Sequence, residues 1–112
     1  MSIRVLDKTE WQAYCDRVSK GLSGKRASIE ISGLSLGHQT AATSLPLLGI
    51  AYEPRADLLE IALEGLDHLI RHPRRISVDD GLGGLRSMEI VDAEDRRQIV
   101  QLTEPLMLTS WS

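Results

Sequence analysis

His68 is the side chain in this sequence best suited to proton transfer, because an imidazole changes charge near neutral pH. Asp57 and Asp67 are the acids that a fold can bring against it as an acid–base pair. His72 follows four positions later, the spacing at which two imidazoles share a helix face and hold zinc. On a strand the same four positions lie about 13 Å apart, too far for one ion. Asp67 is the sole nearby third donor and no Cys is close, so no metal site is expected. Arg71, Arg74 and Arg75 crowd around Pro73 in the same stretch. With His68 and Asp67 they make the candidate ligand-binding set, a dock for an acidic partner or a phosphate. The plainer reading is a solvated surface, neutralised by Glu60, Glu64, Asp79 and Asp80.

A nucleophile to complete this chemistry is missing. Cys15 falls on an apolar helical stripe, where a thiol is usually inert packing. No Ser sits in a Gly-x-Ser-x-Gly elbow. No catalytic residue is assigned. Gly21-Leu22-Ser23-Gly24-Lys25-Arg26 resembles a phosphate loop only superficially. A Walker loop has four residues between its glycines and a Ser or Thr after the Lys, and it precedes a helix. This segment has Arg26 after the Lys and follows a helix. Asp79-Asp80-Gly81-Leu82-Gly83-Gly84 lacks the alternating oxygen donors of a calcium loop and the helix that a Rossmann glycine turn requires. It reads as a mobile loop between strands.

Composition narrows the field further. The chain has 112 residues, room for one core and a single domain over residues 1–112. Thirty-one of them are Leu, Ile or Val and none is Phe, with two Trp and two Tyr, so the core is aliphatic. Platforms of stacked aromatics for single-stranded nucleic acid are short of material. A net charge of −3 argues against a general nucleic-acid or anionic-membrane binder. No apolar run approaches the ~20 residues of a bilayer span, and no signal peptide opens the chain. One cysteine fits a reducing compartment, and the expected location is the cytoplasm.

The elements that must position these side chains begin with a helix. Trp11, Tyr14, Cys15, Val18 and Leu22 share a helical stripe. Thr9 and Gln12 form a capping box, and Gly21 supplies a positive-φ stop, which places the helix at about residues 9–20. From residue 26 the period becomes two, with Ala27, Ile29 and Ile31 facing in. Residues 33–44 read as a long connection under which Leu34 and Leu36 tuck, and 45–52 as a second strand. Residues 57–72 support two readings. Leu59, Leu63, Leu66 and Ile70 keep helical spacing, while Leu59, Ile61 and Leu63 alternate as a strand entered from a turn at Pro54. The strand reading is preferred, because the run starts straight from that turn and Gly65 interrupts it. Strands at 75–79, 85–91 and 96–102 follow, the last two as a hairpin across Asp92–Asp95, with Pro105 as the stop. The fold expected is α+β: one N-terminal helix packed on an antiparallel sheet of about five or six strands.

The segments Leu48-Gly49-Ile50-Ala51-Tyr52-Glu53-Pro54, Asp57-Leu58-Leu59-Glu60-Ile61-Ala62-Leu63 and Asp67-His68-Leu69-Ile70-Arg71-His72-Pro73 resemble a family of small bacterial proteins, DUF5335, a domain of unknown function. Gly84–Asp92, Arg97–Leu102, Trp11 and Leu36-Gly37-His38-Gln39 fit the same pattern, so the resemblance covers nearly the whole chain. It implies an acidic residue at the positions of His38 and Glu53, from which His38 departs. It also implies a bacterial origin, favours the strand reading of 58–64, and brings no activity, cofactor or site residues with it.

The reading carried forward is a non-catalytic binding or protein-interaction module without a cofactor. Its partner, another protein or a second copy, would meet a sheet edge, the 80–84 loop or the C-terminal tail at Leu106-Met107-Leu108 and Trp111. The competing reading is a small-ligand binder or enzyme using His68 with Asp57 or Asp67.

Overall fold

The computed structural model describes residues 3–22, 24–34, 36–81 and 84–107. Among them are one α-helix, a short 3₁₀ turn and eight strands, so the α+β class holds with more strands than the sequence pattern shows. The first strand, β1 (Ile3–Val5), is too short to display a period. Asp7 then caps the 3₁₀ turn Lys8–Glu10: its carboxylate accepts the Thr9 N–H at 3.0 Å, while Glu10 accepts the Asp7 N–H at 3.0 Å. This is the capping box, one half-turn earlier than Thr9 and Gln12 place it, because Asp7 offers a charged acceptor before Thr9 can. Helix α1 (Trp11–Lys20) follows and buries Trp11, Tyr14, Cys15 and Val18 along the stripe read from the sequence. Gly21 ends it at φ −102, not in the left-handed region; Gly24, at φ +74, makes that turn instead.

Strand β2 (Arg26–Gly33) pairs with the next strand, β3 (Gly37–Glu53), which has 17 residues. The long connection expected at 33–44 is thus mostly strand. Its Gln, Thr and Ala residues pair through their backbone with β2 and need no apolar stripe to do so. Leu34 is fully exposed and does not tuck under anything. At Ser44 (φ +47) β3 bends, and beyond Leu47 it exchanges β2 for β4 (Leu58–Leu63). Residues 54–57 form the turn between them, and Glu64-Gly65, with Gly65 at φ +80, reverses the chain into β5 (Leu66–Arg71). Residues 57–72 are therefore strands and turns. One residue, His72 at φ +54, separates β5 from β6 (Pro73–Asp79). The hairpin β7 (Leu85–Asp92) and β8 (Arg97–Leu106) supplies the last two of the described strands.

β8 does not stop at Pro105. A register shift between Leu85 and Ser87 lets the strand run on and bury Leu106 opposite Leu85. Gly84 must be glycine there: its φ is +94, and a Cβ would stand 2.6 Å from the Leu106 carbonyl oxygen. Met107 is exposed, whereas Leu108, Trp111, Leu82 and Gly83 lie outside the described residues.

All pairings are antiparallel, in the order β1-β6-β7-β8-β2-β3-β4-β5. The bend in β3 and the corner at His72 divide this sheet into two lobes, β1-β6-β7-β8-β2 with the first half of β3, and the rest of β3 with β4 and β5. Their apolar faces join α1 in one buried cluster that includes Ile29, Leu59, Ile61, Ile70, Ile76 and Ile90. Where β2 has left β3, α1 takes its place. Ser19 Oγ accepts the Ile50 N–H at 2.8 Å and donates to the Ile50 carbonyl at 2.7 Å. A backbone that would otherwise be unpaired inside the fold is thereby satisfied.

Candidate functional site

Strand β5 ends the sheet, and three features decide what it presents. The first is its polarity of pairing. His72 N–H donates to the Asp57 carbonyl at 2.8 Å, and the register continues Leu58↔Arg71 to Leu63↔Leu66. Hydrogen-bonding direction alternates along an antiparallel strand. The even-numbered residues of β5 therefore bond β4, and the N–H and C=O of Asp67, Leu69 and Arg71 point outward. Among the described residues no strand pairs with that edge. The side chains of Asp67 and Arg71 are exposed, and Leu69 is 43% exposed between them.

The second feature fixes β5 from inside. His68, which alternation turns inward, places Nε2 2.6 Å from Gln98 Oε1 on β8. The Gln98 amide nitrogen in turn donates to Asp92 Oδ2 at 3.0 Å. That leaves the Gln98 oxygen as acceptor, so His68 carries its proton on Nε2. Asp92 is 1% exposed and accepts three more bonds, from the backbone N–H groups of Glu94 (2.9 Å) and Arg96 (3.0 Å) and from Arg96 Nε (2.9 Å). Burial raises the Asp92 pKa, but the Arg96 N–H, the Gln98 amide, the Glu94 N–H and the guanidinium outweigh it and hold the carboxyl below its ordinary value. Four donors on two oxygens leave this carboxylate no capacity for substrate.

The third feature pins the end of β5. Tyr52 Oη donates to Asp57 Oδ1 at 2.7 Å, His72 Nδ1 to Oδ2 at 3.2 Å, and Lys8 Nζ stands 3.9 Å from Oδ1. The Tyr52 hydrogen bond, with His72 and Lys8 behind it, lowers the Asp57 pKa against a smaller effect of burial. Burial, and then Asp57, push the Tyr52 phenol up to about 12. The Tyr52 ring meets Trp11 edge to face at 5.1 Å, which ties this corner to α1. Beside it lies an open cleft of about 380 Å³ lined by Lys8, Thr9, Gln12, Tyr52, Pro54 and Asp57.

The candidate residues thus separate. His68 meets Gln98, not Asp57 or Asp67; Asp57 belongs to Tyr52 and His72, and Asp67 alternates to the opposite face of β5 from His68. The cationic cluster disperses as well. Arg74 pairs with Asp95 and donates to the Asp92 carbonyl at 3.2 Å, Arg75 stands 3.9 Å from Glu89, and Arg71 stays on the exposed edge. Asp80, in turn, takes Arg4 (3.1 Å) and the Tyr14 hydroxyl (2.8 Å). Cys15 is fully buried, and burial pushes its thiol up to about 12. Among the described residues no three His, Cys, Asp or Glu side chains gather as a metal site, and no helix is long and apolar enough to cross a membrane.

Residues 2–110 match the model of a family described as a family of unknown function, DUF5335. The chain belongs to this family. An uncharacterized protein of Aquifex aeolicus (strain VF5) is 34% identical over 109 residues, 96% of this chain and 98% of its own. No solved structure matches. In this DUF5335 protein the sequence reading missed Gln98 as the partner of His68, and Asp92 behind it, although a signal was there. Met88, Ile90 and Asp92 on β7, and Gln98, Val100 and Leu102 on β8, are the inward positions of their strands. A polar side chain on an apolar stripe must find a partner inside.

Proposed function

We propose that this protein acts by binding, as an interaction module that accepts an added β-strand along the outer edge of β5. The observation that carries this reading is the outward row of backbone N–H and C=O groups at Asp67, Leu69 and Arg71, on a strand held from behind by His68 and Gln98. Main-chain hydrogen bonds to such an edge supply affinity with little demand on the partner's sequence. Pinning at both its inner face and its His72 end keeps the edge extended before a partner arrives, which lowers the ordering cost of binding. A reducing, bacterial cytoplasm suits this reading, with Cys15 as a free buried thiol.

A selection of extended peptides against the folded chain tests it. Selected peptides are expected to protect the amides of Asp67, Leu69 and Arg71 from hydrogen exchange, and Leu69→Pro is expected to abolish their binding. Protection confined to any other strand or loop would remove the proposal. The small-ligand reading is favoured by the cleft beside Asp57. It calls for Lys8→Ala and Gln12→Ala to weaken a ligand that leaves the β5 amides unprotected.

A further inference from the structure

We infer that the strand added at β5 is β5 of a second copy of this chain, paired antiparallel about a two-fold axis through Leu69. The inference rests on the strand-addition reading above and names its partner. Asp67 and Arg71 project from the same face of β5, two positions either side of Leu69. Both are exposed, and neither has an ion-pair partner among the described residues. Their neighbours across on β4, Ala62 and Leu58, offer no charge. Within one chain the two charges lie four residues apart, about 13 Å, too far to meet.

A two-fold axis through Leu69 changes that geometry. Leu69 then faces Leu69 of the second copy as a hydrogen-bonded pair, and Asp67 faces Arg71 of the second copy at each end. Directly opposite residues in such pairs have Cα atoms about 5.5 Å apart. All three outward backbone pairs close together, since residues 67, 69 and 71 share one hydrogen-bonding direction. The edge is self-complementary: an apolar centre with two identical ion pairs flanking it, as a closed two-fold interface requires. Charges on an edge strand usually repel other edges. Here opposite signs at symmetric positions disfavour a parallel in-register copy, in which Asp67 meets Asp67 and Arg71 meets Arg71, and select the antiparallel one. The charges also flank a leucine that a monomer leaves 43% exposed.

Sedimentation velocity of the full chain from micromolar to millimolar concentration tests the pairing. The wild type is expected to show a reversible monomer–dimer equilibrium. Asp67→Arg and Arg71→Asp each oppose like charges twice, and each is expected to weaken the dimer about tenfold or more. Mixing the two variants restores both ion pairs in a heterodimer, and the double variant D67R/R71D restores them in a homodimer. Circular dichroism checks that each variant is folded, and both substitutions are at exposed positions. In the wild type, the amides of Asp67, Leu69 and Arg71 are expected to gain protection as concentration rises. A wild type that stays monomeric to millimolar concentration, or single variants that fail to complement each other, overturns the inference. If the chain is monomeric but selected peptides still protect those three amides, the second copy is excluded while strand addition stands. If neither occurs, both fall.

Discussion

Asp92 and Asp57 solve the same problem in two corners of the molecule by different means. Each carboxylate gathers donors around a chain reversal. Asp92 draws its donors from one hairpin: Glu94, Arg96 and Gln98 lie within six residues of it, and its side chain is 1% exposed. Asp57 draws on three separate elements, Tyr52 of β3, His72 at the β5–β6 corner and Lys8 before α1, and its side chain stays 32% exposed. The first hub is local and dry, the second long-range and half wet. A local hub sets the shape of a hairpin, whereas a long-range hub sets how two lobes and a helix meet. Strand β5 depends on both, through His68 at one and His72 at the other.

The sharpest way to break this contrast is Asp92→Ala. It leaves the Gln98 amide without its acceptor in a buried setting and takes the acceptor from the part-buried Glu94 and Arg96 N–H groups and the Arg96 Nε. The expected cost is about 3–5 kcal/mol, as for removing one partner of a buried charged network. Urea unfolding monitored by circular dichroism measures it, and a loss under about 1 kcal/mol would mean that water replaces the carboxylate and the hub is not dry.

Acid separates the hubs next. Both carboxyls are held below their ordinary value, so each stabilises the fold fully above about pH 4, the unfolded carboxylate range. That stability is lost as pH falls through the folded pKa of each group, where the native state must take up a proton. Melting temperature is therefore expected to drop steeply below pH 4 in the wild type and less steeply in Asp92→Asn, which has no proton to take up at that position. Parallel curves for the two proteins would assign the acid sensitivity elsewhere, Asp80 being the next carboxylate so held.

Asp57→Asn should cost less, about 1–2 kcal/mol, since its hydrogen bonds to a charge are half solvated. It carries a signature that Asp92 lacks. Because Tyr52, His72 and Lys8 come from three elements, the substitution should speed hydrogen exchange in β5 and around the start of α1 together. Loosening restricted to the 54–57 turn would reduce Asp57 to a local cap.

The difference between the hubs also explains what was legible in the sequence. Alternation gave β2, β4, β7 and β8, and helical spacing gave the buried face of α1, because both are local codes for a buried stripe. The same code exposes Asp92 and Gln98 as polar residues on apolar stripes, so the local hub was within reach of pattern reading. The pairing of Asp57 with His72 was not, because it depends on a corner made by one residue at positive φ. β5 escaped as a separate strand because Asp67, Leu69 and Arg71 face out and His68 faces in, an order that hides the usual polar-out, apolar-in rhythm. β3 was read short because the residues of its first half, Ala42 apart, are not buried and show no apolar alternation. The dispersal of Arg71, Arg74 and Arg75 comes from the corner at His72, which leaves Arg71 on β5 and the other two on β6, and from the register irregularity between Pro73 and Arg75.

The smallest effect belongs to the rim of the Asp92 hub. Arg74 reaches from β6 to Asp95 and to the Asp92 carbonyl, and its side chain is 54% exposed while that of Asp95 is 78% exposed. A double-mutant cycle of Arg74→Ala and Asp95→Ala is expected to give a coupling of about 0.2–1 kcal/mol, the range of an exposed ion pair. The bond from Arg74 Nε to the backbone survives Asp95→Ala but not Arg74→Ala, so the Arg74 single variant should be the more costly of the two. Equal costs would place all of Arg74's contribution in the exposed pair. A coupling well above this range would extend the dry interior of the Asp92 hub outward to β6, and the boundary between the local and the long-range corner would then run through Arg74.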